Sequence, residues 1–221
     1  MIELNHVTKS FQLPHGKTKV VLNDISYVFP EGVSMGILGH HGSGKSTLLR
    51  IICGKSEPDS GYVKRTSRVS WPVGFGGGLN ANLTGRDNLK FTCRIYGADI
   101  GPVTRFVESF TELGAYMDLP LRTYSTGMKS RLAFGLSMAI EFDYYLVAGS
   151  IPLGEGTFRE RAKQVFAERM KHASLIIFSH KTRLISRYCD NAVILENGRF
   201  IQFNTLAAAV ASYREKYNEK A

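Results

Sequence analysis

The pattern of apolar residues predicts a series of short strands separated by turns and helices. Near the N-terminus, alternating apolar positions predict strands over residues 2–11, 20–22 and 24–29, with a turn at Pro14-His15-Gly16. Four later runs are short and rich in β-branched or aromatic residues, which is typical of buried strands. They are residues 33–38, 144–147, 175–178 and 192–195, and an Asn197-Gly198 turn then leads to a return strand at residues 200–203.

Most of the segments between these strands have apolar residues at the spacing of a helix. Helices are predicted at residues 48–53, through residues 84–116 with a break at 97–102, at 158–172 and at 206–217, and residues 71–78 form a glycine-rich loop. Strands that alternate with helices predict an α/β fold with a mostly parallel central sheet, preceded here by an N-terminal antiparallel β region. We expect one domain over residues 1–221, in which residues of about 84–140 form a helical subdomain.

The most specific motif follows one of the buried strands and precedes a helix. It is Gly39-x-x-x-x-Gly44-Lys45-Ser46, in which the glycines allow backbone N–H groups to face a phosphate. The helix N-terminus adds partial positive charge, Lys45 is placed to reach the β- and γ-phosphates, and the Ser46 hydroxyl is a ligand for Mg²⁺. The alternative is an accidental match in a glycine-rich chain, and the strand–loop–helix order argues against it.

A second anion site is indicated at the start of a helix, at Ser125-Thr126-Gly127. By itself this string is a weak signal, because Ser125 or Thr126 is also an ordinary helix N-cap. Its position after a helical insertion and before an apolar β-run favours phosphate binding. In that interpretation Ser125 and the Gly127 N–H bind the γ-phosphate held by a second copy of the chain.

Two further residues are candidates for contacts with a nucleotide. His180 follows the buried strand at residues 175–178. The carboxyl ends of parallel strands face the ligand in α/β proteins, so we expect His180 to contact the γ-phosphate, the alternative being a structural histidine. Phe11 lies in the N-terminal strand region and is either a core residue or a ring that stacks on the base, a contact worth about 1–3 kcal/mol.

The net charge and the cysteine content restrict which partners and which cellular compartment fit this chain. The 221 residues carry 28 Lys and Arg against 19 Asp and Glu, and this net charge of +9 suits a nucleotide, a nucleic acid or an acidic lipid surface. Cys53, Cys93 and Cys189 are widely spaced, so neither a disulfide framework nor a metal knuckle is expected, and a reducing compartment fits. The sequence begins without the pattern of a signal peptide, and no apolar run approaches the length of a membrane span.

Taken in order, these motifs resemble the ATP-binding subunit of an ABC transporter, over nearly the whole chain. The resemblance is strongest to the subunits that power export of capsular polysaccharide in Gram-negative bacteria. Its most specific strings are Ser70-Trp71-Pro72-Val73-Gly74 and Tyr124-Ser125-Thr126-Gly127-Met128, and further matches lie at residues 7–11, 42–50, 83–86 and 134–139. The chain also resembles the capsule type in ending at Ala221 without an additional C-terminal sandwich domain.

The resemblance implies a P-loop NTPase fold, with ATP as the nucleotide and Mg²⁺ as its metal. It implies Lys45 and His180 as catalytic residues and Ser46 as the metal ligand, and Glu155 is added as a catalytic candidate that could substitute for a missing carboxylate. The residues implied to bind the nucleotide are Phe11, Gly39, His40, His41, Gly42, Ser43, Gly44, Lys45, Ser46, Thr47, Ser125, Thr126 and Gly127.

The resemblance also implies partners and a location. A homodimer of the chain would sandwich two ATP molecules, each between the Lys45 loop of one copy and residues 125–127 of the other. This dimer would bind a membrane-spanning permease dimer and the polysaccharide export machinery on the cytoplasmic face of the bacterial inner membrane, with residues 71–78 and the helical subdomain forming the groove for the permease. We expect no nucleic acid partner, because an ABC-type protein of that class would carry tandem cassettes or a long coiled-coil insertion.

Four features depart from the pattern of the family. After the strand at residues 144–147 the family has Asp and then Glu, which hold the Mg²⁺ water shell and polarise the attacking water, whereas this chain has Ala148 and Gly149. Glu155 stands where the family has Asp, and the Gln expected after the strand near Ser70 is not evident. Three interpretations stay open: slow hydrolysis supported by His180, Mg²⁺ and Lys45; a degenerate cassette that binds ATP with little turnover; or substitution by Glu155 or another carboxylate.

Overall fold

The computed structural model describes residues 1–74 and 78–217, with His15 described by its backbone alone. The strands are β1 (Ile2–Gln12), β2 (Thr18–Phe29), β3 (Met35–Leu38), β4 (Ser60–Arg65), β5 (Val69–Pro72), β6 (Tyr144–Ala148), β7 (Ser174–Ser179), β8 (Asn191–Glu196) and β9 (Arg199–Gln202). The helices are α1 (Lys45–Ile52), α2 (Gly85–Tyr96), α3 (Ile100–Thr111), α4 (Thr126–Ala139), α5 (Gly156–Arg169), α6 (Thr182–Tyr188) and α7 (Leu206–Tyr217).

Two sheets organise the strands. The first is antiparallel, in the order β2-β1-β4, and the second has six strands in the order β5-β6-β7-β3-β8-β9. In the second sheet β6, β7, β3 and β8 run parallel to one another, and β9 returns antiparallel to β8. Because the carboxyl ends of parallel strands share one edge, the loops after β3, β6 and β7 emerge side by side, which is the usual place for a ligand in such a sheet.

The chain divides into two compact units. The first contains Met1–Ser70, Asp143–Ser150 and the described residues from Ala173 onward, and the second contains the described residues of Trp71–Phe142 and Ile151–His172. The second unit holds α2 to α5, and the single domain with a helical subdomain at residues of about 84–140 stays a prediction. No helix within the described residues combines the length and the apolar character that crossing a membrane requires.

The core of the first unit forms around β3 and α1. β3 is buried along its whole length, as its short apolar run predicts. Leu48, Ile51 and Ile52 are the fully buried residues of α1 and belong to the same cluster as Ile37 and Ile176. Each such side chain contributes about 1.5–3 kcal/mol by leaving water, so this cluster fixes the strand and the helix that flank the Gly39 loop.

The core of the second unit is aromatic. Phe110 of α3 lies 5.9 Å from Phe134 of α4 and 5.0 Å from Phe158 of α5, measured between ring centroids. A Cβ added at Gly135 would lie 2.8 Å from Thr111 Cγ2, so α3 and α4 pack closely enough that α4 requires glycine there. The second unit is therefore a packed helical body and not a loose insertion.

Several predicted element bounds are wrong. Residues 20–22 and 24–29 belong to one strand, β2, which passes through Asp24 at a φ of 56° beside a register shift against β1. The strand β4 was not predicted, because its side chains are mostly exposed and show no apolar alternation. Its backbone hydrogen bonds to β1 stabilise the strand instead.

The remaining differences concern the helices and the glycine-rich loop. α3 begins inside the predicted break, because Asp99 caps it by accepting the Gly101 N–H at 2.9 Å. Trp71 and Pro72 belong to β5, whereas residues 75–77 of the predicted loop lie outside the described residues. The helix predicted at 158–172 is shifted to Gly156–Arg169, and the strand predicted from residue 33 begins at Met35.

The Asp59 carboxylate joins β1 to the turn before β4. It accepts hydrogen bonds from Lys9 Nζ at 2.6 Å, from the Ser10 N–H at 2.7 Å and from Ser10 Oγ at 2.7 Å. The bond from Lys9, followed by those from Ser10, lowers the pKa of Asp59 from 3.8 to about 2. A lowered pKa means that the stabilisation is complete above the ordinary pKa and disappears as the pH falls through about 2.

Replacing Asp59 with Asn should therefore destabilise the fold in a pH-dependent way. We expect the melting temperature of Asp59→Asn to lie below that of the parent at neutral pH, with the difference shrinking from about pH 4 towards pH 2. Thermal unfolding followed by circular dichroism across this range measures it, with Glu57→Gln as a matched loss of one nearby carboxylate. A difference that does not change with pH would contradict this role of the carboxylate.

Candidate functional site

The loop between β3 and α1 adopts a conformation that its glycines require. Gly42 and Gly44 have φ angles of 81° and 102°, a region that favours glycine. A Cβ at Gly39 would lie 2.5 Å from Ser43 Oγ and 2.9 Å from the Leu195 carbonyl oxygen. The loop therefore turns tightly at the carboxyl end of β3. Its first residue, Gly39, has space for the backbone but not for a side chain.

Lys45 folds back over this loop. Its Nζ donates to the carbonyl oxygens of Gly39 and His40 at 2.6 Å and 2.8 Å and to Ser43 Oγ at 3.4 Å. Half-burial lowers the pKa of Lys45, because desolvation penalises the ammonium. These bonds fix the ammonium group of Lys45 at the mouth of the loop. An anionic oxygen that arrives there is a stronger hydrogen-bond acceptor than a carbonyl oxygen.

The first turn of α1 presents uncapped donors next to Lys45. The N-cap residue is Gly44, no side chain caps the helix, and the first turn holds no acidic residue. Ser46 is exposed and Thr47 is half-buried at this end. A helix N-terminus of this kind attracts an anion through its free N–H groups and its partial positive charge.

The protein side chains offer a metal ion few ligands here. Among the described residues, no group of three or more His, Cys, Asp or Glu side chains could hold a metal ion. Mg²⁺ is usually held by one or two carboxylates together with substrate phosphates and waters, and the predicted ligand Ser46 supplies a single exposed hydroxyl. The Ser46 hydroxyl fits a Mg²⁺ that is held jointly with the phosphates of a nucleotide.

The last residue of β6 and the residue that follows it cannot accept a hydrogen bond through a side chain. Ala148 is exposed and pairs with Phe178 of β7. Gly149 follows at a φ of 77°, and its carbonyl oxygen accepts from Ser179 Oγ at 3.1 Å. The positions where the family has its acidic pair thus lie beside the strand that leads into His180.

Two consecutive histidines of the loop face different neighbours. The His40 ring lies 5.8 Å from the ring of Tyr217 in α7, and the His41 ring lies 4.7 Å from the ring of His180, between centroids. The structure thus brings His180, a residue far away in sequence, against the loop, as the prediction of a shared site requires. Glu196, which accepts from Tyr217 Oη and Lys216 Nζ, also lies at this end of the first unit.

Tyr217 and Glu196 are the residues near the loop that the sequence did not indicate. α7 was predicted with its observed bounds, but periodicity does not say against which part of the sheet a helix packs. Burial and the bond to Glu196 raise the pKa of Tyr217 to about 12. Its hydroxyl is therefore a donor that ties α7 to the end of β8.

Phe11 is an exposed ring and not a core residue. Its exposed fraction is 43%, and Lys9 Nζ lies 6.0 Å from the ring centroid. The alternative of core packing is therefore wrong. A flat apolar face with a cation beside it is suited to stacking on a base, and that role stays a prediction.

The second predicted anion site lies in the second unit, at the start of α4. Ser125 is the N-cap, and its Oγ accepts the Met128 N–H at 3.2 Å. Among the described residues, a Cβ at Gly127 would meet only Ser125 Oγ, at 3.8 Å, so none of them demands glycine there. The capping interpretation of Ser125 is thus correct for the single chain, and phosphate binding by Ser125, Thr126 and Gly127 stays a prediction about a second copy.

Glu155 also belongs to the second unit. It is the exposed N-cap residue of α5 and makes no side-chain capping bond. Gly154 and Gly156 on either side have φ angles of 73° and 58°, so the backbone turns sharply through this residue. The carboxylate is accessible, and its catalytic role stays a prediction.

Comparison with known sequences identifies many relatives. The model of a family described as ABC transporter matches residues 22–147. The chain is 45% identical to the capsule polysaccharide export ATP-binding protein CtrD of Neisseria meningitidis serogroup B, over 96% of this chain and 98% of that protein. It is 44% identical to the ATP-binding protein BexA of Haemophilus influenzae over 97% and 99%, and 42% identical to the polysialic acid transport ATP-binding protein KpsT of Escherichia coli over 97% and 99%.

Comparison with solved structures supports the fold. The ATP-binding subunit of an ABC transporter superposes with a TM-score of 0.75 at 20% identity, covering 99% of this chain and 100% of that one. A dimeric ATP-binding cassette bound to ADP and Pi superposes with a TM-score of 0.73 at 19% identity, covering 93% and 99%. The predicted fold class, a mostly parallel sheet with an N-terminal antiparallel region and a helical part, is confirmed.

Proposed function

Because this chain belongs to the ABC transporter family, we propose that it is the ATP-binding subunit that powers export of a capsular or related polysaccharide. The observation that carries ATP binding is the Gly39 loop, with Lys45 held over it and the open N-terminus of α1 behind it. The nature of the cargo is supported by the names of CtrD and KpsT, which are similar over nearly their whole lengths.

The residues of the first unit would share the work of holding ATP. The loop N–H groups and α1 hold the phosphates, Lys45 exchanges its carbonyl partners for β- and γ-phosphate oxygens, and Phe11 stacks on the base. Ser46 would hold Mg²⁺ together with the phosphates, and the ion would neutralise charge on the transferred phosphoryl group. His180, at the carboxyl end of β7, reaches the γ-phosphate.

The partners proposed are a second copy of the chain and a membrane-spanning permease dimer at the cytoplasmic face of the inner membrane. The first turn of α4, with an exposed Gly127 and no acidic residue, is suited to a phosphate presented by another copy. Phe91 and Ile95, one turn apart on α2, are 52% and 59% exposed and give the helical unit an apolar face for the permease.

A negative charge at the start of α4 should prevent closure of the dimer. Gly127→Asp places a carboxylate where the proposed partner phosphate approaches, so we expect loss of the ATP-dependent dimer in analytical ultracentrifugation, with binding of ATP to the monomer retained. Gly127→Ala is the matched control, because a Cβ there comes no closer than 3.8 Å to the neighbouring groups that the structure describes. An Asp variant that dimerises as well as the parent would rule out this role of residues 125–127.

A second candidate function is a cassette that binds ATP and hardly hydrolyses it. The observation that favours it is the end of β6, where Ala148 and Gly149 provide neither a carboxylate for the Mg²⁺ water shell nor a base for the attacking water. In that case ATP binding and dimer closure alone would act on the permease. Steady-state hydrolysis by the chain assembled with its permease separates the two candidates.

Deletion of the gene in its source organism tests the proposed function. We expect loss of polysaccharide from the cell surface, restored by the parent chain and not by Lys45→Ala. A tagged full-length chain should also co-purify with a membrane-spanning protein from detergent-solubilised membranes. Unchanged surface polysaccharide after deletion would contradict the proposal.

A further inference from the structure

The last helix is attached to the first unit before its final turn reaches the Gly39 loop. Ala209, Val210 and Tyr213 of α7 are buried. Arg214 Nε donates to Thr182 Oγ1, at the start of α6, at 3.0 Å. Because these contacts precede the final turn of α7, they fix the helix without the residues that meet the loop.

Glu196 anchors the final turn of α7 to the end of β8. Its two carboxylate oxygens accept from Lys216 Nζ and from Tyr217 Oη, and its side chain is 12% exposed. The bond from Lys216, followed by the bond from Tyr217, lowers the pKa of Glu196, so the carboxylate stays ionised at neutral pH. The hydroxyl of Tyr217 is therefore held by a charge-assisted hydrogen bond, which is stronger than a neutral one.

The Tyr217 ring contacts one ring of its own helix and one ring of the Gly39 loop. Its centroid lies 4.7 Å from that of Tyr213 and 5.8 Å from that of His40. Both distances are within the range at which aromatic rings attract each other. Through His40, α7 therefore contacts a loop that lies far away in the sequence.

His40 is bonded in turn to the residues that would receive the phosphates. Its carbonyl oxygen accepts from Lys45 Nζ at 2.8 Å and from the Ser43 N–H at 3.2 Å. The glycines of this loop give the backbone a freedom that has to be lost when a ligand binds. A contact that holds His40 therefore restricts the loop before a nucleotide arrives.

We propose that Tyr217 is a positioning residue that acts through His40 to hold the Gly39 loop in the conformation that receives the nucleotide phosphates. The proposal rests on the proposed function, in which this loop binds ATP. Ordering a segment before its ligand arrives removes the ordering cost from the binding step, an effect of about three- to tenfold in affinity. Because ATP and ADP both place phosphates in the loop, the loss of Tyr217 should weaken both nucleotides alike.

Calorimetric titration of the full-length chain with Mg²⁺ and either ADP or a non-hydrolysable ATP analogue measures this effect. We expect Tyr217→Ala to weaken the binding of both nucleotides by about three- to tenfold. His40→Ala removes the same contact from the loop side and should weaken binding at least as much. The double variant should equal His40→Ala within about twofold, because Tyr217 acts through His40. Tyr62→Ala, which removes an exposed ring of β4, is the control and should bind like the parent.

Rescue and hydrogen exchange separate positioning of the loop from attachment of the helix. Tyr217→Phe keeps a ring beside His40 and should recover most of the affinity that Tyr217→Ala loses. In the ligand-free Tyr217→Ala chain, the Ser43 N–H should exchange with solvent faster than in the parent, as measured by NMR. The amides of residues 209–213 should keep the protection that they have in the parent, because the buried part of α7 is unchanged.

The possible outcomes distinguish this role from the proposed function. Parent-like affinity in Tyr217→Ala, additive losses in the double variant, or no recovery with Phe would overturn the role of Tyr217 alone. Exchange that rises along α7 and not at Ser43 would do the same, since Tyr217 would then only attach the helix. A parent chain that binds neither nucleotide would overturn the proposed function as well.

Discussion

Single-turnover ATP hydrolysis should rise by about 10²–10⁴-fold when Ala148→Asp is combined with Gly149→Glu. The new Asp would order the water shell of Mg²⁺, and the new Glu would orient and polarise the attacking water. Ala148 is exposed at the end of β6, and a Cβ at Gly149 meets no atom of the described residues within 4 Å, so both side chains have space. ATP affinity should change much less, because Lys45, Ser46 and the loop N–H groups provide most of the binding.

The structure adds a cost to this change. Gly149 has a φ of 77°, and a non-glycine residue in that region is destabilised by about 1–2 kcal/mol. The double variant should therefore melt at a lower temperature than the parent, while Ala148→Asp alone should not carry this strain. The thermal melts show whether a poor rate reflects strain or chemistry.

The measurement compares rapid-quench hydrolysis of stoichiometric ATP by the parent, Ala148→Asp and the double variant, each assembled with the permease. Equal and fast rates would contradict the expectation and would mean that another residue, first of all Glu155, already acts on the water. Equal and negligible rates would contradict it in a different way, since the loop of residues 150–156 would then fail to place the water.

Nucleotide affinity should fall by about 10- to 150-fold in Lys45→Ala. The ammonium makes charge-assisted hydrogen bonds, a class worth about 1.5–3 kcal/mol each, and alanine removes them all. The measurement is the dissociation constant for Mg²⁺-ATP by calorimetry. Lys64→Ala, which removes an exposed positive charge of β4, is the control for the general loss of charge and should bind ATP like the parent.

Loss of Lys45 also removes the donor that the carbonyl oxygens of Gly39 and His40 share in the ligand-free chain. Lys45→Met keeps the aliphatic stem without the ammonium and separates the lost charge from lost packing. Both variants should weaken ATP binding to a similar degree if the charge carries the effect. An affinity equal to that of the parent in either variant would contradict the assignment of this loop.

The local sequence was sufficient to predict the turns and helix starts of the site, because these depend only on residues close together in the chain. The Gly39 loop, the start of α1 and the N-cap at Ser125 follow from turn chemistry and capping, which act within a few residues. The bounds of α7, Leu206–Tyr217, follow from apolar spacing. The order of strands and helices was sufficient for the fold class, because parallel strands need crossover connections.

Tertiary structure alone decided the features that depend on residues far apart in the chain. β4 exists because its backbone N–H and C=O groups pair with β1, and its exposed side chains give no apolar pattern from which to predict it. The loop sequence does not say that His40 faces Tyr217 while His41 faces His180, because the positions of α7 and β7 set both contacts. The sequence by itself determined which residues are candidates for binding and which acidic residues of the family are missing. The packing of distant strands decided how the candidate side chains are aimed, because those contacts form only when the sheet is assembled.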